Sequence, residues 1–211
     1  ARGSLQVELS DGLRTFNLEG TGTGASLSYE INLDGNFVRV APGGAIKLPD
    51  TAVAGRLTVP IRVRNEGTSE GRITAVSASG DAYRLLDLAP LPATLPAQAT
   101  LSFTLVYSPT VSGANTGRLL INEAFFDLNG GGVGSRLTFT TETFGTVTPV
   151  PDSNLIVLPN TTVGNRLSTK VVARNDGNAA ASITGVSIGG PLFTVTDLPP
   201  FPATVAPGGT L

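Results

Sequence analysis

The chain has 211 residues, 40% of them hydrophobic and only 14% charged, with a net charge of −2; that is too apolar for a disordered segment, and it offers no electrostatic grip on phosphates, so no nucleic-acid partner is expected. His, Cys, Met and Trp are all absent, which removes disulfides, thiolate and imidazole metal sites, and Ser-His-Asp or Cys-His catalytic machinery. No apolar run approaches the ~20 residues of a membrane helix, so no span is expected in this segment, no signal-peptide pattern opens it, and without any Met, Ala1 reads as the start of a processed product or of an excerpt from a longer polypeptide.

In chain order, Leu5, Val7 and Leu9, then Phe16 and Leu18, predict a hairpin with Asp11-Gly12 at its tip. Gly20-Thr21-Gly22-Thr23-Gly24 reads as a flexible exit. Asn32-Leu33-Asp34-Gly35-Asn36 carries oxygen donors of the kind calcium uses, but it lacks the spacing and terminal Glu of a calcium loop and reads as a turn. The clearest strand follows: Leu57, Val59, Ile61 and Val63 alternate with Arg56, Thr58, Pro60, Arg62 and Arg64, one face buried and one wet. Pro60 has no amide donor, so the strand is expected to be locally at an edge or to carry a bulge there. Asn65-Glu66-Gly67 then signals a turn.

Arg56, Arg62, Arg64 and Arg72 would make a small basic stripe, read here as a solvated sheet face. Leu101, Phe103, Leu105 and Tyr107 form the next alternating strand. Leu119 to Ile121 with Phe125 to Leu128 predict a closing hairpin. Gly130-Gly131-Gly132-Val133-Gly134 has no following helix to bind a phosphate and reads, like Gly20 to Gly24, as a flexible exit. Asn160-Thr161-Thr162 fits the short glycosylation pattern. No segment carries a sustained helical period with caps.

The chain also repeats itself at an offset of 110 residues. IKLPDTAVAGRL from Ile46 matches IVLPNTTVGNRL from Ile156. Arg64-Asn65-Glu66-Gly67 matches Arg174-Asn175-Asp176-Gly177, and DLAPLPATL from Asp87 matches DLPPFPATV from Asp197. Phe16-Asn17-Leu18-Glu19-Gly20 matches Phe126-Asp127-Leu128-Asn129-Gly130, while Gly3-Ser4-Leu5 matches Gly117-Arg118-Leu119 at an offset of 114, so the later hairpin is shorter. Such a period suits a β-sandwich domain rather than a solenoid. The expected fold class is all-β: tandem immunoglobulin-like antiparallel β-sandwiches with negligible helix. Residues 1–24 would be the closing strands of a preceding repeat, 25–134 a complete repeat, and 135–211 the first two-thirds of another. In the last, Leu167, Thr169, Val171 and Ala173 are expected on one buried face.

The order of these motifs, IxLPxTxVGxxL, a strand ending in Arg-Asn-x-Gly, an aromatic at Tyr83 or Phe193, a proline-rich turn, Tyr107-Ser108-Pro109 and a closing Leu-x-Gly, resembles the ASH-type immunoglobulin-like domain of abnormal-spindle and hydin proteins. It is also similar to the secreted bacterial repeats called choice-of-anchor D. The resemblance implies a scaffold without catalytic residues. Its bacterial branch implies an extracellular or cell-surface location, and its eukaryotic branch a cilium or centrosome. The near-absence of Lys and the Gly-, Ala- and Thr-rich strands favour the bacterial branch.

No catalytic, cofactor-binding or metal-binding residue is assigned, and no cofactor is expected. Asp87 and Asp197, one per repeat in proline-rich loops, read as turn caps bonded to local backbone rather than as a carboxylate pair. The expected function is a structural repeat array forming an extracellular stalk, fibre or filament, with self-association through chain ends or sheet edges, as in head-to-tail strand complementation. The alternative is an adhesive or scaffolding module for a protein or glycan partner.

Overall fold

A computed structural model describes residues 2–151 and 155–211. Nineteen strands are assigned and, among the described residues, no helix. In chain order they are β1 (Arg2–Leu9), β2 (Gly12–Glu19), β3 (Leu27–Leu33), β4 (Asn36–Arg39), β5 (Ala45–Lys47), β6 (Thr51–Ala52), β7 (Leu57–Asn65), β8 (Gly71–Ile73), β9 (Val76–Ser79) and β10 (Tyr83–Leu86). There follow β11 (Ala93–Leu95), β12 (Thr100–Tyr107), β13 (Gly113–Ile121), β14 (Ala124–Val133), β15 (Leu137–Thr143), β16 (Thr146–Pro149), β17 (Lys170–Asn175), β18 (Ala181–Ile183) and β19 (Ala203–Val205).

Residues 25–134 form a two-layer sandwich. One layer has the order β10-β12-β7-β3-β4, and the other β5-β14-β13-β9 with β6 also on β14. Alternation explains the layering. Along β7, Val59, Ile61 and Val63 are almost wholly buried while Thr58, Pro60, Arg62 and Arg64 face solvent. From the opposite layer Leu119, Ile121, Phe126 and Leu128 point inward. Each such side chain contributes about 1.5–3 kcal/mol by leaving water. Tyr29 meets Phe126 across the gap with ring centroids 5.1 Å apart, and Tyr83 stacks on Tyr107 at 5.2 Å. The sandwich is antiparallel except at one margin, where β5 and β6 add to β14 in parallel.

Pro60 obeys the local rule inside a central strand. The β3–β7 ladder ends at Ile31↔Ile61, so at Pro60 the strand has only β12 beside it. The Asp34-Gly35 turn joins β3 to β4 with both residues at positive φ (54° and 86°), the geometry of a tight hairpin turn. The β1–β2 hairpin turns one residue earlier than expected, at Ser10-Asp11, because Leu9 pairs with Gly12.

The glycine run after Phe126 is not an exit. Gly130, Gly131, Gly132 and Val133 are the last rung of β14, paired to β13 through Gly113↔Gly132 and to β6 through Val133↔Ala52. Glycine is required there by contact: a Cβ on Gly130 would lie 2.5 Å from the Tyr107 ring. Only Gly134 leaves the strand, whereas residues 20–26 lie outside any strand.

The 110-residue recurrence is present in the backbone. Strands β15, β16, β18 and β19 sit 110 positions after β3, β4, β8 and β11, and β17 ends 110 positions after β7. Leu137↔Asn175 reproduces Leu27↔Asn65, and the bridge Arg174↔Thr210 reproduces Thr100↔Arg64. Cis peptides at Leu91-Pro92 and Phe201-Pro202 keep the same spacing. Burial does not recur in full. Ala173, Ala181, Ala203 and Val205 are buried, but Val171, expected inside, is 50% exposed, and Leu167 and Thr169 precede the strand. No strands corresponding to β13 and β14 pack over this face among the described residues.

Candidate functional site

The alternation that buries Val59, Ile61 and Val63 carries on to Asn65, so a polar side chain ends up fully enclosed at the end of β7. A buried amide must find partners for both ends. Asn65 Oδ1 accepts from the backbone N–H of Ser26 (3.1 Å) and of Gly67 (3.0 Å). Its Nδ2 donates to the carbonyls of Ser69 (2.8 Å), Leu95 (3.0 Å) and Pro96 (3.2 Å). One side chain thereby ties the entry of β3, the turn after β7 and the end of β11. Asn175 repeats the arrangement. Its Oδ1 accepts from Arg136 and Gly177 N–H, both at 3.1 Å, and its Nδ2 donates to Ala179 (2.8 Å) and Val205 (2.9 Å).

The glycines of these turns are fixed by contact. A Cβ on Gly67 would stand 2.2 Å from the Gly24 carbonyl oxygen, and one on Gly177 2.3 Å from that of Gly134. In the sequence Asn65 and Asn175 look like turn residues. The overlooked signal is their phase, since they occupy the inward positions of their strands.

Two apolar faces are open. On hairpin β1–β2 the pairing Leu5↔Phe16 and Gly3↔Leu18 puts Leu5, Phe16 and Leu18 on one side, 49%, 54% and 52% exposed. The matching pairs of hairpin β13–β14, Leu119↔Phe126 and Gly117↔Leu128, are buried in the sandwich at 1% exposure or less. The second open face lies over residues 137–211. There Phe139 (the position of Tyr29) is 43% exposed, Ile156 (that of Ile46) 40%, and Phe193 (that of Tyr83) 52%. A groove between β15, β16 and the 155–159 segment is lined by Thr141, Phe144, Val150, Leu155, Ile156 and Val157.

The remaining sequence candidates do not converge on a site. Asp87 and Asp197 both adopt left-handed backbone (φ 57° and 59°). Their carboxylates accept from threonine hydroxyls, Thr104 at 3.3 Å and Thr196 at 3.0 Å, which corrects the expected bond to local backbone. A short polar side chain tolerates that backbone better than a branched one.

The four arginines are dispersed. Arg62 and Arg64 share the wet face of β7, where Arg62 lies over the Phe37 ring at 3.6 Å and Arg64 donates to Gln98 at 3.4 Å. Arg72 is on the separate β11–β8 pair, and Arg56 precedes β7. Burial raises the phenols of Tyr29, Tyr83 and Tyr107. That of Tyr83 is pushed up to about 12, by burial first, then by its neighbour Tyr107, against a lowering bond to the Gly130 backbone. These groups stay neutral inside the core, and no helix among the described residues is long and apolar enough to cross a membrane.

No protein-family model matches the chain, and no curated protein matches it. Among solved structures it is similar to domains 4 and 5 of the S-layer protein SbsC, with 9% identity and a TM-score of 0.32. The alignment covers 64% of this chain and 66% of that one, just under two thirds of its length.

Proposed function

We propose that the chain is a non-catalytic structural array of serial immunoglobulin-like sandwich repeats, with boundaries near 24 and 134, that builds an extracellular or cell-surface stalk, fibre or filament. The observation that carries the reading is the recurrence of one buried asparagine with one set of partners. Asn65 and Asn175 each join strand entry, turn and a distant strand end in the same way, 110 residues apart. An enzyme concentrates its chemistry in one place, whereas here the repeated feature is structural. The absence of His and Cys from the sequence supports the non-catalytic reading. The surface location rests on the motif resemblance.

Repeats in such an array meet through complementary faces. The side of β1–β2 bearing Leu5, Phe16 and Leu18 corresponds to the side of β13–β14 that seats Phe126 against Tyr29. We take its partner to be the inner face of another sandwich of this type. The face bearing Phe139, Ile156 and Phe193 is the corresponding acceptor, and strand addition supplies the backbone bonds.

Sedimentation velocity and negative-stain microscopy on the 211-residue chain test this. The expected result is concentration-dependent end-to-end association into elongated particles, abolished by Phe16→Glu while the 25–134 sandwich stays folded. A compact, strictly monomeric particle indifferent to Phe16→Glu, or one that captures a glycan or protein through a single site, would refute the reading.

A further inference from the structure

The array reading leaves open whether consecutive sandwiches swing freely or move together, and the bonds around Gly134 bear on this. We propose that the Asn175–Asn178 turn is a clamp that locks the joint between the sandwich of 25–134 and the one that follows, with Asn178 as its positioning residue. The inference rests on reading those two segments as successive repeats.

The chain crosses from β14 to β15 in three residues, 134–136, and the attachments on either side leave little slack. Val133 O accepts from Val53 N–H at 2.8 Å, holding the end of β14 to its own sandwich. The next residue is already gripped from the other side. Gly134 N–H donates to Asn178 Oδ1 at 2.9 Å, and Gly134 O accepts from Asn178 and Ala179 N–H at 3.0 and 3.2 Å. Two residues on, Arg136 N–H donates to Asn175 Oδ1 at 3.1 Å, and Arg136 O accepts from Asp176 N–H at 2.7 Å. Gly177 makes the approach feasible, since its Cβ position falls 2.7 Å from Ser135 Cα.

Asn178 adds a contact that spans the boundary. While its Oδ1 holds Gly134, its Nδ2 donates at 2.7 Å to the carbonyl of Gly132, inside β14. The amide thus pairs with the departing strand as a neighbouring strand would, one acceptor and one donor to residues two apart. The corresponding position, 110 residues earlier, is Thr68. Its hydroxyl accepts from Gly24 N–H at 3.4 Å, while Thr68 and Ser69 N–H still donate to Gly24 O at 2.9 and 3.3 Å. The turn backbone grips the exit in both copies, but only the asparagine reaches back across the joint. A domain linker whose amides and carbonyls are bonded to both neighbours cannot serve as a hinge without breaking those bonds.

Because the sequence has no cysteine, two introduced cysteines report only on themselves. Spin labels at Ser77→Cys, on β9, and Thr204→Cys, on β19, place one probe on each sandwich, and double electron–electron resonance gives their distance distribution. The native joint is expected to give a narrow distribution. Asn178→Ala should broaden it several-fold, Asn178→Thr should do so partially, and Thr68→Ala should leave it narrow. An unchanged tyrosine-reported unfolding curve and unchanged local label mobility show that the variants fold.

A broad distribution in the unmodified chain, or a width untouched by Asn178→Ala, would overturn the clamp. The outcome is separable from that of the array reading. A flexible chain that still assembles through Phe16 sinks the clamp alone, and a stiff chain that never associates sinks the array alone.

Discussion

Asn65 has no exposed surface, yet it offers four hydrogen-bonding positions and fills them with five backbone groups. Removing a partner from buried backbone groups costs more than the bond itself gains, because the groups left behind stay out of water. Asn65→Ala is therefore expected to destabilise the sandwich by about 2–4 kcal/mol. Asn65→Asp should not rescue it, since it exchanges the donor amide for a buried charge. All three tyrosines lie in this sandwich, at positions 29, 83 and 107, and there is no Trp, so tyrosine fluorescence during urea unfolding reads its stability.

The same tyrosines set an alkaline limit. The folded phenol of Tyr83 titrates at about 12 against an ordinary 10.0. A raised folded value means that the unfolded chain loses the proton first, so stability is intact below pH 10 and declines as pH rises from 10 through about 12. Burial raises Tyr29 and Tyr107 in the same direction. The urea midpoint should fall steeply over that window, with tyrosinate absorbance appearing together with unfolding. A midpoint flat to pH 12 would contradict the account.

At the scale of elements, hairpins β1–β2 and β13–β14 share a sequence pattern and differ in what covers them. Phe126 is 1% exposed and Phe16 54%. Phe126→Ala is expected to cost about 3–5 kcal/mol. Phe16→Ala should change the unfolding of this sandwich by less than about 0.5 kcal/mol. Gly130 shows the reverse constraint. A strand position ordinarily gains from a side chain, but here the Tyr107 ring occupies the space, so Gly130→Ala should cost about 1–3 kcal/mol by overpacking. Equal effects of Phe126→Ala and Phe16→Ala on the urea midpoint would show that the two hairpins are packed alike.

For the molecule as a whole, the two copies share a backbone plan and differ in depth. The inner face of β7 is enclosed by the opposite layer, while in β17 only Ala173 and Asn175 are similarly buried and Val171 is half exposed. Local opening free energy follows apolar enclosure. Amide hydrogen exchange should therefore be much slower in β7 and β12 than in β15 and β17 at concentrations where the chain is monomeric. Protection of β17 equal to that of β7 would mean that its face is covered, and the described contacts would then be incomplete.

Strand identity, the 110-residue period and the closing hairpins were legible in the sequence because they depend on local alternation and turn chemistry, which each residue carries with it. Leu57 to Val63 and Leu101 to Tyr107 needed nothing beyond period two. Whether Gly130 to Val133 continued as strand or left as linker was not legible. A glycine run carries no side-chain pattern, and only the packing of Tyr107, Asp50 and the β6 edge against it decided the matter. The role of Asn65 was half legible: its phase marked it as inward, but its partners at Ser26, Leu95 and Pro96 lie 30 or more residues away and meet only once the sheets have closed. The bridge from Asn178 to Gly132 had no sequence signal at all, since it joins residues 46 apart through a geometry that exists only when β14 and the next turn are already in place.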